Sequence, residues 1–282
     1  MEINIIGAES LGVRSMACLV RTGARLILID PGVALAPRRF GFPPHPGEIK
    51  RAALIRQQIL NHLPQITDII ISHFHGDHTP LKKPDPFQIP LIDFKNRLGT
   101  SRIYIKSNQG NTSLMNHRYS EFVAEFASQI IIADRHTEPG LEFSAPVPHG
   151  EPHRGTVLMT KITDQTGVFV HASDIQLLNE TAINALLVWQ PDILFVAGPP
   201  IYLPRLSPAQ LNRAFENAIQ LARVTKTLIL DHHLLRSTSG LRWLAQLRQS
   251  VSIRVICAAE WQLEKPDLLE ARRRQLFSLF PN

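Results

Sequence analysis

Asp68-Ile69-Ile70-Ile71-Ser72-His73-Phe74-His75-Gly76-Asp77-His78-Thr79-Pro80 is the segment around which the rest of this chain is organised. Three isoleucines with a polar residue on each side read as a short buried strand. The strand runs straight into His73, His75, Asp77 and His78. In extended chain alternate side chains face the same way, so His73 and His75 can grip one metal ion. Gly76 permits a tight turn that presents Asp77 and His78 in another direction, where they can hold a second ion. A lone His-X-His carries little information. Four ligand-type residues crowded behind one strand carry a good deal.

The 282 residues fit one large domain or two small ones, and 44% hydrophobic residues supply a substantial core. Cys18 and Cys257 lie far apart in apolar runs, so they form neither a disulfide framework nor a Cys-X-X-Cys metal site. Buried free thiols in a reducing compartment are the expectation. The N-terminus lacks a basic region followed by a long apolar one, and nothing approaches the ~18 apolar residues of a membrane span. A soluble, cytoplasmic protein is expected. The net charge of +6 and the pI of about 9.6 favour anionic partners only if the charge is concentrated on one face. The basic clusters, such as Lys82-Lys83 and Arg272-Arg273-Arg274, are short, and a solvated surface accounts for them equally well.

Taken in order, residues 3–6 and 15–22 read as strands, with Thr22-Gly23-Ala24-Arg25 turning the chain back through a strand over 26–29 that ends at Asp30-Pro31-Gly32. Asp30 is either a turn former or a site residue; the pattern alone leaves both open. Ile49, Ala52, Ile55, Ile59 and Leu63 recur at helical spacing, predicting a helix over 47–63. Prolines at 80, 84, 86 and 90 exclude a regular helix directly after the histidine motif. Further strands are predicted over 103–106, 130–133, 141–147, 156–163, 167–171, 192–197, 227–230 and 253–258. Helices are predicted over 113–127, 179–189, 208–223, 240–249 and 267–279. Ser207-Pro208-Ala209-Gln210 carries the cap, the N-terminal proline and the Gln of a helix start. With no repeat and no linker, residues 1–282 are expected to form a single domain.

Strand after strand ends at a ligand-type residue: Asp30, His73, His149, His171 with Asp174, and the pair His232-His233. In this the chain resembles the metallo-β-lactamase superfamily. That family's pattern is an Asp after an early strand, then His-X-His-X-Asp-His, a distant His, an Asp after a hairpin and a final His on a late strand. Asp30, His73, His75, Asp77, His78, His149, Asp174 and His232 or His233 match it in order, from residue 30 to 233. The strings Glu9-Ser10-Leu11-Gly12-Val13-Arg14-Ser15, Pro146-Val147-Pro148-His149-Gly150 and Asp231-His232-His233-Leu234-Leu235-Arg236 look like a little-studied prokaryotic branch of metal-dependent hydrolase-like proteins.

The resemblance implies a mixed α/β fold, the four-layer αββα sandwich, with two divalent ions at one edge. Zinc is the first choice, with manganese or iron as alternatives. Carried over, His73, His75 and His149 hold the first ion, and Asp77 and His78 the second. Asp174 bridges them, a histidine of the 232–233 pair completes the second site, and Asp30 supports a ligand. His232 stands four before Arg236, as in the His-X-X-X-Arg ending of RNA-processing members; strand alternation would put His233 on the opposite side, and both stay open. Asp77 is the expected proton acceptor. His153 and His171 read as supporting groups or as ordinary histidines, and Arg14 and Ser15 as candidates to face the site from the first hairpin.

The implied activity is metal-dependent hydrolysis of an anionic small-molecule or nucleic-acid substrate, with a phosphodiester, nucleotide or RNA preferred over a carboxylic ester, lactone or thioester. A non-enzymatic metal or ligand sensor on the same fold is the alternative of another class, which the intact Asp77 disfavours. Diiron oxidoreduction is a third, disfavoured by a His-rich ligand set and the lack of a flavin module.

Overall fold

In the computed structural model, which describes residues 1–23, 25–150 and 155–279, the apolar run Arg25–Ile29 divides its side chains between two cores. Leu26 and Leu28 pack with Ala52, Ile55 and Ile59 of the helix Pro46–His62, whereas Ile27 and Ile29 pack towards Phe143, Ile162 and Phe169. The motif strand Asp68–Ile71 does the same, Ile69 and Ile71 facing the helices and Ile70 the other sheet. A strand apolar on both faces needs cover on both, and this places each sheet between a helical layer and the other sheet.

The first sheet holds six strands in chain order: Glu2–Ile5, Cys18–Thr22, Arg25–Ile29, Asp68–Ile71, Arg102–Ile105 and Ile130–Ile132. Its first two pairings are antiparallel and the rest parallel. The second holds seven, ordered Arg254–Ile256, Thr227–Leu230, Ile193–Val196, Gly167–Ala172, Thr160–Asp164, Leu141–Phe143 and Thr137–Glu138. Its first four strands run parallel. Parallel strands end on one edge, and there the chain delivers Asp30, His73, Asp174 and His232 together. The αββα expectation holds.

Local chemistry sets the boundaries. His45 and Glu48 close a capping box around Pro46, so the first long helix starts one residue before the predicted Gly47. Ser207 and Gln210 cap Pro208–Ala222 as their spacing implies. Four expectations need correction. The stretch 141–147 is two strands, Leu141–Phe143 in the second sheet and Val147–Pro148 in a separate pair. The stretch 156–163 is broken into Thr156–Val157, paired with Val147–Pro148, and Thr160–Asp164. The terminal helix spans only Arg273–Leu279, because side chains pin the segment before it and its first residue: Glu270 takes two bonds of 2.7 Å from Arg14, and buried Arg273 pairs with Glu48 at 2.8 Å. The doubled histidine does not continue a strand; His232–Leu235 is a single helical turn capped by Asp231.

Candidate metal centre

Three non-glycine residues at this edge sit in the left-handed backbone region: Asp30 (φ 48°), Asp174 (φ 56°) and His232 (φ 33°). Side chains other than Gly rarely adopt it, and such strain gathers where a site must be aimed. Each residue follows directly on, or closely after, a buried strand whose packing holds the turn. Gly32 is required by crowding: a Cβ there would lie 2.4 Å from the backbone nitrogen of His78. Gly76 supplies room rather than the special turn expected of it, since a Cβ would meet Gln88 Nε2 at 2.5 Å while its φ is not positive.

The Asp174 carboxylate, 2% exposed, stands at the centre. Its Oδ2 lies 3.3 Å from His73 Nε2, 3.7 Å from His75 Nδ1 and 3.4 Å from His233 Nε2. Its Oδ1 lies 3.2 Å from His78 Nε2 and 3.2 Å from His232 Nε2. Asp77 joins the second group, 3.8 Å from His78 Nε2 and 3.5 Å from His232 Nε2. His149 forms a further triplet with Asp174 and His233, their ligand atoms all within 4.8 Å of one another. Both members of the 232–233 pair therefore reach Asp174, one on each of its oxygens, because a helical turn fans successive side chains by about 100° where a strand would oppose them.

Behind the donors lies an orienting layer. Asp30, fully buried, accepts from the Ser72 backbone N–H (2.8 Å), Ser72 Oγ (2.7 Å), Ser173 Oγ (2.5 Å) and His78 Nδ1 (3.0 Å). With its hydroxyl proton given to Asp30, Ser72 accepts from His73 Nδ1 at 2.9 Å. This network places a proton on Nδ1 of His73 and of His78 and turns both Nε2 atoms inward; burial works against a charge on His78, but Asp174, Asp77 and Asp30 raise it well above the usual histidine range. Burial works against the Asp30 charge, but the hydrogen bond and charge of His78 prevail and hold its carboxyl down at about 2. Burial, then the neighbouring His78 and His75, keeps His73 neutral, its value pushed down to about 3. Asp77, despite burial, is held well below the usual carboxylate range by His78, His232 and Arg236.

Ser72 and Ser173 were missed by sequence reasoning; the only signal was their place immediately before a ligand-type residue. Glu9 was missed as well: its carboxylate accepts from Arg236 Nε at 2.8 Å, and Arg236 reaches on to Asp77 Oδ2 (3.2 Å) and His232 Nε2 (2.7 Å). Asp231 fixes the turn from beneath, accepting from the backbone of Ser10, His232 and Ala258 and from Ser10 Oγ. Arg14 and Ser15 do not face the site, being engaged with Glu270 and with the carbonyl of Gly32. His171 lies behind the centre, donating through Nε2 to the Met16 carbonyl at 2.9 Å. His153 lies outside the described residues.

Among the described residues, His78 Nε2, Asp174 Oδ1 and both ring nitrogens of His233 are buried without a hydrogen-bond partner. Polar atoms left this way cost stability, and the placing of His78 Nε2 and His233 Nε2 about the two oxygens of Asp174 fits cations as the missing partners. Imidazoles and carboxylates are donors suited to zinc, manganese or iron. A cleft of about 530 Å³ opens onto the first group, lined by His75, His149, His233, Tyr202, Arg205 and Arg236 among others.

A two-sheet sandwich with this His/Asp cluster at the strand ends defines a metallo-β-lactamase-superfamily protein, and the superfamily's sequence profile matches residues 12–79. The fold is one that holds divalent metals. More narrowly, the chain belongs to the UPF0282 family: it is 46% identical over 283 residues to the UPF0282 protein of Methanosarcina mazei, covering 100% of this chain and 93% of that one. Among solved structures it is similar to an isothiocyanate hydrolase from Delia radicum gut bacteria, with a TM-score of 0.53, 15% identity and coverage of 87% of this chain and 94% of that one. A metal-dependent hydrolase of the beta-lactamase superfamily gives a TM-score of 0.53 at 11% identity, covering 90% and 94%. At such identities the likeness is one of fold. No helix among the described residues is long and apolar enough to cross a membrane.

Proposed function

We propose that this protein is a hydrolase that uses a dinuclear metal centre on an anionic substrate, a phosphodiester, nucleotide or RNA. The observation supporting the substrate preference is the cleft, which among the described residues is lined by Arg205 and Arg236 and by no Asp or Glu. Its other polar walls include Gln176, Tyr202 and Thr112, which offer donors suited to phosphoryl oxygens. In this reading His73, His75, His149, Asp77, His78, Asp174 and the pair His232-His233 hold two divalent ions, zinc before manganese or iron. Bound there, such ions would lower the pKa of water towards neutrality and polarise the oxygen under attack. Asp77, ionised and beside His232, accepts the proton of the attacking water. Asp30 and the two serines keep the imidazoles in the tautomer that binds.

The 282 residues act as one unit, a reading supported by the hydrophobic cluster that joins both sheets. Two free, buried cysteines suit a reducing cytoplasm.

The test is a panel assayed with metal-saturated protein: bis-p-nitrophenyl phosphate beside lactones and thioesters. Turnover of the phosphodiester is expected. Turnover confined to lactones or thioesters would move the substrate to that class, and none by fully metallated protein would favour a sensor.

A further inference from the structure

The two halves of the donor cluster are not equivalent, and the difference lies in His233 and Arg236. On the Oδ2 side of Asp174 stand His73, His75 and His233, with His149 closing the triplet to His233. The rings of His149 and His233 lie nearly parallel, 8° apart, with centroids at 6.5 Å. His233 is buried and neither of its nitrogens has a hydrogen-bond partner, so its lone pair is aimed at this group and committed to nothing else.

The Oδ1 side holds His78, His232 and Asp77, and a guanidinium besides. Arg236 Nη2 stands 2.7 Å from His232 Nε2 and 3.2 Å from Asp77 Oδ2, where it donates to the atoms that a cation on this side needs. Arginine keeps its charge inside proteins. The side chain is buried and anchored by Glu9 at 2.8 Å, so it is a fixed neighbour. A cation entering either side must displace a hydrogen bond, Arg236 to His232 here and His73 Nε2 to His75 Nδ1 at 2.9 Å there, but only here does it also approach a guanidinium.

Resting on the dinuclear reading, we propose that the two positions fill in order. His233 gives the first position a fourth imidazole, and Arg236 holds the second position weak. The pair His232-His233 is then one ligand for each ion rather than a choice between two.

The experiment strips the purified full-length chain with a chelator and titrates it with zinc, following heat and, after dialysis, metal content. The wild type binds one equivalent tightly and a second at least ten-fold more weakly. Glu9→Gln combined with Arg236→Met removes the guanidinium together with the carboxyl that anchors it, while Asp77 keeps His78 and His232 as neighbours. It tightens the second step at least ten-fold and leaves the first within three-fold. If that variant does not fold, Glu9→Gln with Arg236→Gln takes its place. His233→Ala weakens the first step at least ten-fold and spares the second. Equal affinities in the wild type, a second step that does not tighten in the paired variant, or His233→Ala acting on the second step would each overturn the proposal. A wild type that binds no zinc would instead remove the dinuclear reading itself.

Discussion

Asp30→Asn tests whether the layer behind the donors carries both stability and metal affinity. The amide keeps the shape of the side chain and one acceptor oxygen but loses the charge that collects Ser72, Ser173 and His78. Lowering of the Asp30 carboxyl from the ordinary 3.8 to about 2 corresponds, at about 1.4 kcal/mol per pH unit, to roughly 2 kcal/mol of preference for the charged form. The neutral variant is expected to be less stable by about that amount at pH 7. The native state binds this proton less tightly than the unfolded chain does. The contribution is therefore complete above about 3.8 and vanishes as the pH falls towards about 2, so wild type and variant should converge in acid. Urea unfolding of the metal-stripped proteins across a pH series measures this. In the second readout, ion affinity at the position of His78 should fall about 10- to 100-fold, the usual effect of losing a group that orients a ligand. A stability loss under about 0.5 kcal/mol together with unchanged zinc affinity would refute the reasoning.

Asp174→Ala should lower the metal content of metal-saturated protein, because its two oxygens are shared between the two donor groups; an unchanged count by elemental analysis would take Asp174 out of the site. Asp77→Asn, assayed with metals kept saturating, should cost on the order of 10² to 10⁴ in hydrolytic rate, and retention within about three-fold would leave Asp77 a ligand only. Lys106 is buried, its ammonium donating to the carbonyls of Ser107 and Gln109 at 2.7 Å, and burial pushes its value from 10.5 down to about 8. The unfolded chain therefore holds this proton more tightly. Stability should rise between about pH 8 and 10.5 by up to about 3 kcal/mol, and Lys106→Met should abolish that rise; parallel stability curves for the two proteins would exclude it.

The sequence by itself determined the fold class and most of the candidate donor cluster, and the reason is that both are written locally. Isoleucine and leucine runs of strand length, each ending at a His or Asp, fix which residues arrive at the sheet edge: His73, His75, Asp77, His78, His149 and Asp174 all stand at the centre. Caps such as Ser207 with Gln210 are equally local. What the tertiary structure alone decided depends on partners distant in the chain. Glu9 and Arg236 are 227 residues apart, and Arg14 and Glu270 256 apart. Those anchors draw Arg236 against His232, turn Arg14 away from the site and keep residues 267–272 out of the terminal helix. The fate of the doubled histidine was of the same kind. Its helical turn is set by Asp231, and Asp231 is held by Ser10 and Ala258 across the fold, so no spacing near His232 and His233 could reveal that both would reach Asp174.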